Sequence, residues 1–567
     1  MYRPLLMVTY ALNYAVSGYE PWSYHLVNVV VHAVCTYAVY QIARALGLEL
    51  ALAGLAALLF GLHPIHSEAV DYVSSRSELL AAGFVLAALW LHLRHAQARW
   101  APAATGVLFA AGLGCKSVAI VLPALLAAHD LLCRPRRLRG RATLYGVLGL
   151  VSAAYLTVAG HLLARATVGD PVRGYGEQLW SQTKALVFYA RLMFVPQGLS
   201  VDHQFLISDR LWDPFAATAA LAVASVVVLV SRQWRRRPVV AFLGLWTAVA
   251  LAPSSLVPLN VLVNEHRLYL PGAAVAIGLA VTVEASIQAC ICAGRGGSGA
   301  AVVLVLLGLY GCTTWQRTEV WSSPYSLWED AARQAPLMAR PQIMLGETHA
   351  RDGHTEVAIS HLEHALERDR QYLRGYERLG QLHRDLGQPE VAERRLRQGL
   401  AVDSTAAGLW GELGALYVSR AQSPADGSPA VWYARARDAY AKATQWAPDN
   451  HAYQDNLGNT YQVLEQPERA LVHHRLALRL RPDDSRTLLN TGNAHHMLGH
   501  LDSALSYYER SVESDPAHAG AWLSLASSLE SRGRAAEALR AYGRAASLEP
   551  AYRAAVNQAR LRLGAGD

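Results

Sequence analysis

Two stretches, LGNTYQVLEQPERALVHHRLALRLRP (457–482) and TGNAHHMLGHLDSALSYYERSVESDP (491–516), decide the fold of the C-terminal part of the chain. Laid over one another they match at a spacing of about 34 residues, the length of a helix-turn-helix unit. Working outward, the eighth position of each unit is Gly346, Gly380, Gly414, Gly458, Gly492 and then Ala526. The twentieth is Ala358, Ala392, Ala436, Ala470, Ala504 and Ala538. Small residues at these two places let the paired helices approach closely. Pro448, Pro482, Pro516 and Pro550 follow at position 32, where a proline stops the second helix. The third unit is longer because it carries an insert at AQSPADGSPA (421–430). The spacing predicts six stacked helical hairpins over 337–550 and a capping helix with a tail over 551–567.

Upstream the composition changes. The chain has 567 residues, 52% hydrophobic and 17% charged, with mean hydropathy +0.15. A water-soluble protein carries nearer a quarter charged residues. The apolar excess is concentrated in 1–315, which excludes one globular core and a disordered chain. Apolar runs at 23–44, 48–62, 78–94, 101–114, 117–133, 143–164, 213–231, 239–257, 271–291 and 299–315 read as about ten spans. Residues 184–196 are amphipathic and read as an interfacial or re-entrant helix, and 316–336 as a connector helix. The fold class expected is all-α: a polytopic transmembrane bundle followed by an α-solenoid.

The net charge is +7. Much of it sits in Arg134–Arg141 (RPRRLRGR) and Arg232–Arg237 (RQWRRR), each between apolar runs. Basic clusters there are topology signals that mark the cytoplasmic side, so no nucleic-acid partner is expected. The six cysteines (Cys35, Cys115, Cys133, Cys290, Cys292 and Cys312) lie in or beside apolar segments, with no disulfide framework or zinc spacing. The opening MYRPLLMVTYALNYAVSGYEPW lacks the pattern of a cleavable signal peptide.

With the basic connectors inside, the outer side receives the N-terminus to Trp22, His63–Glu78, the turn at Lys116, 165–212, Leu259–Leu270 and the repeats. In a bacterium the repeats would then lie in the periplasm. These outer loops hold the chemistry. HPIHSEAVDYVSSRSE supplies His63, His66, Glu68, Asp71, Arg76 and Glu78; further along come Lys116, Asp202, His203, Glu265, His266 and Arg267. In the first span His25, Asn28 and His32 share one helical face, and polar groups in a span face a cavity or partner. In the repeats Asn456 and Asn490 share position 6, and Asn459 and Asn493 share position 9, where amides could hold an extended peptide backbone.

The repeats resemble the tetratricopeptide repeat, a fold that presents a groove to a protein or peptide. The segments YRPL (2–5), EPW (20–22), YHLVNVVVHA (24–33), HPIHSEAVDYVSSRSELLA (63–81), CKSVAIVLP (115–123), EHRLYLP (265–271) and WSSPYSLWEDA (321–331) extend the likeness. Together, in this order, they resemble the transmembrane and tetratricopeptide-repeat O-mannosyltransferase-like family. That resemblance implies a membrane glycosyltransferase with a polyprenyl-phosphate-linked sugar as donor, mannose in the family's case. It also implies a periplasmic protein or peptide, held in the repeat groove, as acceptor. The family begins with a further span and an outer loop whose adjacent acidic residues supply the catalytic carboxylate. This chain opens where that loop would end, and the acidic pair is missing.

Transfer to a hydroxyl needs a base and a positive charge beside the departing phosphate. Glu68, Asp71, Glu78, Asp202 and Glu265 are the catalytic candidates. Arg76, Lys116 and Arg267 are the phosphate partners, with His25, Asn28, His32, His63, His66, His203 and His266 orienting substrate. His63, His66 and Glu68 form HxxHxE, whose imidazoles and carboxylate could take a divalent metal; Pro64 breaks the helix a zinc-peptidase motif would need, and no metal ligand is assigned. The competing class is an inactive membrane-anchored repeat scaffold. A transporter is disfavoured because no internal repeat of spans is visible.

Overall fold

The computed structural model describes residues 3–135, 141–165, 174–208, 210, 212–257, 261–292, 298–423 and 427–563. Residues 136–140 of the first basic connector, 424–426 of the insert, the end of the tail and the side chains of Cys290 and Cys292 lie outside the described set. Within it the chain is all-helical and divides into two compact units, Met1–Leu337 and Met338–Asp567.

In the first unit six helices are long and apolar enough to cross a membrane: Pro21–Ala45, Val73–His95, Ala142–His161, Pro214–Gln233, Pro238–Leu256 and Glu265–Val283. A seventh span would join Leu50–Gly61 to Pro64–Asp71 across a 48° bend. The expected count of about ten is therefore too high among the described residues. Residues 101–114 and 117–133 form short helices, Ala101–Cys115 and Leu122–Cys133, the second behind a 3-10 turn. At 1.5 Å per residue neither reaches across an apolar core of about 30 Å. The helix Ser298–Val320 also has the length, and its apolar run 299–315 ends before Arg317 and Glu319.

Close approach of the helices comes from small residues. A Cβ at Gly106 would meet the Val147 side chain at 2.5 Å, and one at Gly112 would meet Ala119 at 3.0 Å. Cys35, Leu86, Phe109, Phe242, Trp246 and Ile277 fill a continuous core. Leu150, Leu156, Val226, Val227, Leu229 and Leu304 point outward, as they should where lipid replaces water as solvent. Cys35, Cys115, Cys133 and Cys312 are free thiols.

One break matters for the site. Pro64 disfavours helical backbone at His63. The helix Leu50–Gly61 ends, and a 3-10 turn, Pro64–His66, begins. His63 Nδ1 accepts a hydrogen bond from the Ile65 amide at 3.2 Å, and its Nε2 donates to Met193 O at 2.9 Å. The short helix Ser67–Asp71 then starts in a new direction. The amphipathic 184–196 stretch lies within a longer helix, Tyr175–Phe194.

In the second unit helices pair as Ala339–Arg351 with Thr355–Arg368, Leu373–Asp385 with Pro389–Val402, and Ala407–Ala421 with Pro429–Trp446. His451–Val463 with Pro467–Leu480, Ser485–Met497 with Leu501–Ser514 and Ala519–Ser531 with Ala535–Leu548 complete the six, and Arg553–Arg562 packs on the last. All six position-20 alanines are fully buried. A Cβ at Gly380, Gly458 or Gly492 would fall 2.5–2.6 Å from Leu396, His474 or Tyr508 of the paired helix. Each position-32 proline lies two residues beyond the end of its helix, for example Leu480 before Pro482.

Candidate functional site

Three segments far apart in sequence meet in the first unit. The short helix Ser67–Asp71 brings Glu68, the 3-10 turn Glu265–Leu268 brings Glu265 and His266, and the chain leaving Tyr175–Phe194 brings Ser200, Asp202 and His203. The turn is held from below. Gln182 donates to Leu262 O, the Asn264 amide donates to the Tyr189 hydroxyl, and Arg267 donates to Leu262 O and Val261 O, both at 2.7 Å.

Two carboxylate–imidazole pairs result. His266 Nδ1 lies 2.7 Å from Glu68 Oε1, and the His266 amide donates to Glu68 Oε2 at 3.0 Å. Since an ionised carboxylate only accepts, Nδ1 carries a proton, and in the neutral ring Nε2 is then the nitrogen with the lone pair. The His266 side chain retains 17% of its exposure. In the second pair His203 Nε2 lies 3.0 Å from Glu265 Oε1, at an angle that makes an ion-pair contact rather than a hydrogen bond. Glu265 Oε1 also accepts from the Ser200 amide at 2.6 Å. Glu265 is fully buried, while Asp202 sits beside His203, its backbone tied to the Ser200 hydroxyl.

The remaining candidates have other partners. Arg76 is fully buried: Nε donates to Asn28 Oδ1 at 2.8 Å, one terminal nitrogen to Thr9 and Asn13, and the other to Tyr24 O at 2.8 Å. Its guanidinium also lies over the Tyr10 ring at 4.8 Å. Lys116 forms an ion pair with the buried Glu78 and keeps 21% exposure. Asp71 is bonded to Thr318 and lies near Arg317, which pairs with Asp330 at 2.7 Å. The shared face of His25, Asn28 and His32 does not act as one group. Asn28 donates to Val70 O, His32 bridges the Tyr269 hydroxyl and Gly61 O, and His25 is half-buried.

The HxxHxE residues do not converge on one point. His63 caps its turn, His66 packs against Phe60 and Tyr269, and Glu68 faces His266. Among the described residues the group that could hold a metal is elsewhere and was not foreseen: His92, His129 and Asp130, with ligand atoms within 4.8 Å of one another. Arg141 reaches Asp130 Oδ2 at 3.3 Å and Tyr145 donates to it at 2.9 Å. With the Asp130 charge already balanced by a guanidinium, the cluster fits a tie between helix ends better than a dication site. HLRH and AHDLLC carried this signal only as histidine and aspartate inside apolar runs.

In the repeats Asn490 Nδ2 donates to the buried Asp455 carboxylate at 3.1 Å, and Asn493 Oδ1 accepts from the Tyr508 hydroxyl at 2.9 Å. Asn456 and Asn459 are half-buried. Asp455 also holds His474 Nδ1 at 3.0 Å; both side chains are fully buried, and the sequence reading passed over them. Towards the first repeats Arg374 binds Glu347 and Arg384 binds Glu412. Nearby, burial and then the Glu412 charge raise the Glu377 carboxyl above its ordinary range.

Fold and site together define a polytopic membrane protein with a tetratricopeptide-repeat solenoid. The tetratricopeptide-repeat family model matches residues 456–519 and 489–555. The chain is a relative of the TMTC protein O-mannosyl-transferases. It is 32% identical over 256 residues to Protein O-mannosyl-transferase Tmtc2 of Drosophila melanogaster, covering 41% of this chain and 27% of that protein. With Protein O-mannosyl-transferase F38B6.6 of Caenorhabditis elegans it shares 24% identity over 400 residues, covering 65% and 54%. With human TMTC3 the identity is 31% over 215 residues, covering 37% and 21%. The chain thus spans about a fifth to a half of the length of these three curated relatives. Among solved structures it is similar to Pseudomonas aeruginosa pilF, at 20% identity and TM-score 0.33 over 37% of this chain and 92% of that one. It is also similar to YrrB, at 24% identity and TM-score 0.29 over 35% and 97%.

Proposed function

We propose that the first unit transfers a sugar from a polyprenyl-phosphate donor to a Ser or Thr hydroxyl of a protein recruited by the repeats, in a bacterial inner membrane with the repeats in the periplasm. The observation that carries this is the Glu68–His266 pair: a carboxylate that fixes one imidazole nitrogen and leaves the other, partly exposed, able to take a proton. The relatives named as protein O-mannosyl-transferases support the same chemistry, with mannose as the first sugar to try.

In the proposed step His266 Nε2 takes the proton of the acceptor hydroxyl while that oxygen attacks the anomeric carbon. The bond from that carbon to the phosphate oxygen breaks, and polyprenyl phosphate leaves with the electron pair. Glu68 holds the imidazolium that forms. Lys116 and Arg267, both partly exposed, are the cations proposed to meet the phosphate; Arg76, with its donors spent on protein oxygens, takes no part in the step. Glu265 with His203 and Asp202 completes the polar floor, and Glu78 holds Lys116 in place. Covalent tethering of the repeats raises the acceptor's effective concentration.

The test is hexose transfer from polyprenyl-phosphate mannose to a periplasmic extract, followed by intact-protein mass. Wild type adds hexose, and Glu68→Gln and His266→Ala each lose at least about a hundredfold in rate. Full activity in both variants would overturn the assignment. A second reading, a membrane-anchored scaffold without catalysis, is favoured by the internal bonding of Arg76 and Arg267. No transfer by wild type, with client proteins still captured, would establish it.

A further inference from the structure

The second helices of the fourth and fifth repeats, Pro467–Leu480 and Leu501–Ser514, enclose an open hollow of about 540 Å³. That is within the range of ordinary ligand clefts, about 300–1,000 Å³. Arg475, Arg479 and Arg510 line it, with Tyr507, Leu476 and Pro482. All three arginines are exposed, and no carboxylate lines the hollow. Among the described residues none of the three is in an ion pair. Arg510 lies over the Tyr507 ring at 5.3 Å and reaches Pro482 O only at 3.4 Å.

The arginines on the first helices of the repeats differ. Arg374 and Arg378 meet Glu347, Arg384 meets Glu412 and Arg486 meets Asp455. Those side chains spend their charge on carboxylates of the solenoid. The three in the hollow hold theirs towards solvent, around an aromatic ring and an apolar floor. Clustered guanidinium groups beside a hydrophobic surface are how acidic motifs are read: carboxylates take paired N–H bonds, and the apolar floor takes the side chains between them.

We propose that this hollow binds an acidic peptide segment of a partner protein, on a surface separate from the first-helix face where the asparagines lie. This does not depend on the transfer reaction. The segment would present carboxylates at alternate positions to Arg475, Arg479 and Arg510, with an apolar residue over Leu476.

The test uses the full-length protein in detergent and a fluorescein-labelled, Glu-rich peptide of about ten residues, read by anisotropy. A Gln-for-Glu analogue, added salt and a competing oligonucleotide are the comparisons. The Glu peptide is expected to bind, at least tenfold more tightly than its Gln analogue, and to weaken as salt screens the charges. Arg475→Glu, Arg479→Glu and Arg510→Glu together are expected to lose at least tenfold in affinity. Arg544→Glu, Arg553→Glu and Arg560→Glu, the same change in net charge at exposed sites on later helices, should lose less than twofold. Unchanged helical circular dichroism in both triple variants shows that the fold is kept. Absence of binding, equal binding of the Gln analogue, or equal loss in both triple variants would overturn the proposal. So would an oligonucleotide that binds more tightly than the peptide and loses its affinity in the first triple variant.

Discussion

Arg76 shows how little a residue type alone says about its work. A guanidinium in an outer loop reads as a phosphate contact, but here it is sealed by Thr9, Asn13, Tyr24 and Asn28, which lie on two other helices. Its donors join three helices through neutral oxygens, so its removal should be felt as lost stability. Arg76→Gln leaves at least two of those acceptors unpaired. At about 1–3 kcal/mol for each buried group left without a partner, the cost for two is about 2–6 kcal/mol. The melting temperature of the detergent-solubilised protein should fall by several degrees, read by tryptophan fluorescence. An unchanged transition would mean that the guanidinium is not the tie its hydrogen bonds describe.

At the scale of elements, the turn between the two helices of a repeat needs a left-handed residue. Gly353, Gly387, Gly499 and Gly533 fill that place at φ of 69–82°, but the fourth repeat has Glu465 at φ 56°. A side chain there costs about 1–2 kcal/mol, part of which a glycine loses again to greater freedom when unfolded. Glu465→Gly should therefore stabilise the solenoid by about 0.5–1 kcal/mol, seen as a higher denaturation midpoint of the full-length protein. A lower midpoint would mean that the Glu465 side chain makes a contribution larger than its strain. The repeats were legible because Gly458 and Ala470 answer a local demand, the contact of one helix with the next along the chain. The spans were harder: 101–114 and 117–133 are apolar runs on either side of a turn at Lys116, yet the helices they form are too short to cross. The candidate site was legible in residue type but not in pairing. Glu68 and His266 are 198 residues apart, and nothing near either of them in sequence announces the other. The cluster around Asp130 was missed for the same reason, since Arg141 and His92 reach it from separate helices.

For the whole molecule the assignment of compartments carries the proposed chemistry, because lipid-linked donor, acceptor and repeats have to share one side of the membrane. The connector Arg232–Arg237 is exposed between two helices long and apolar enough to cross a membrane, Pro214–Gln233 and Pro238–Leu256. Basic residues in a short connector are retained in the cytoplasm. Gln398, on the second helix of the second repeat, is also exposed. In a background with every native cysteine replaced by serine or alanine, Arg235→Cys should resist a membrane-impermeant maleimide in intact cells and react after the membrane is opened. Gln398→Cys should react in cells whose outer barrier alone has been made permeable. If the two exchange behaviour, the Glu68–His266 pair and the repeats face the cytoplasm. A nucleotide-linked sugar would then be the donor to assay, while the folded arrangement of the site would stand unchanged.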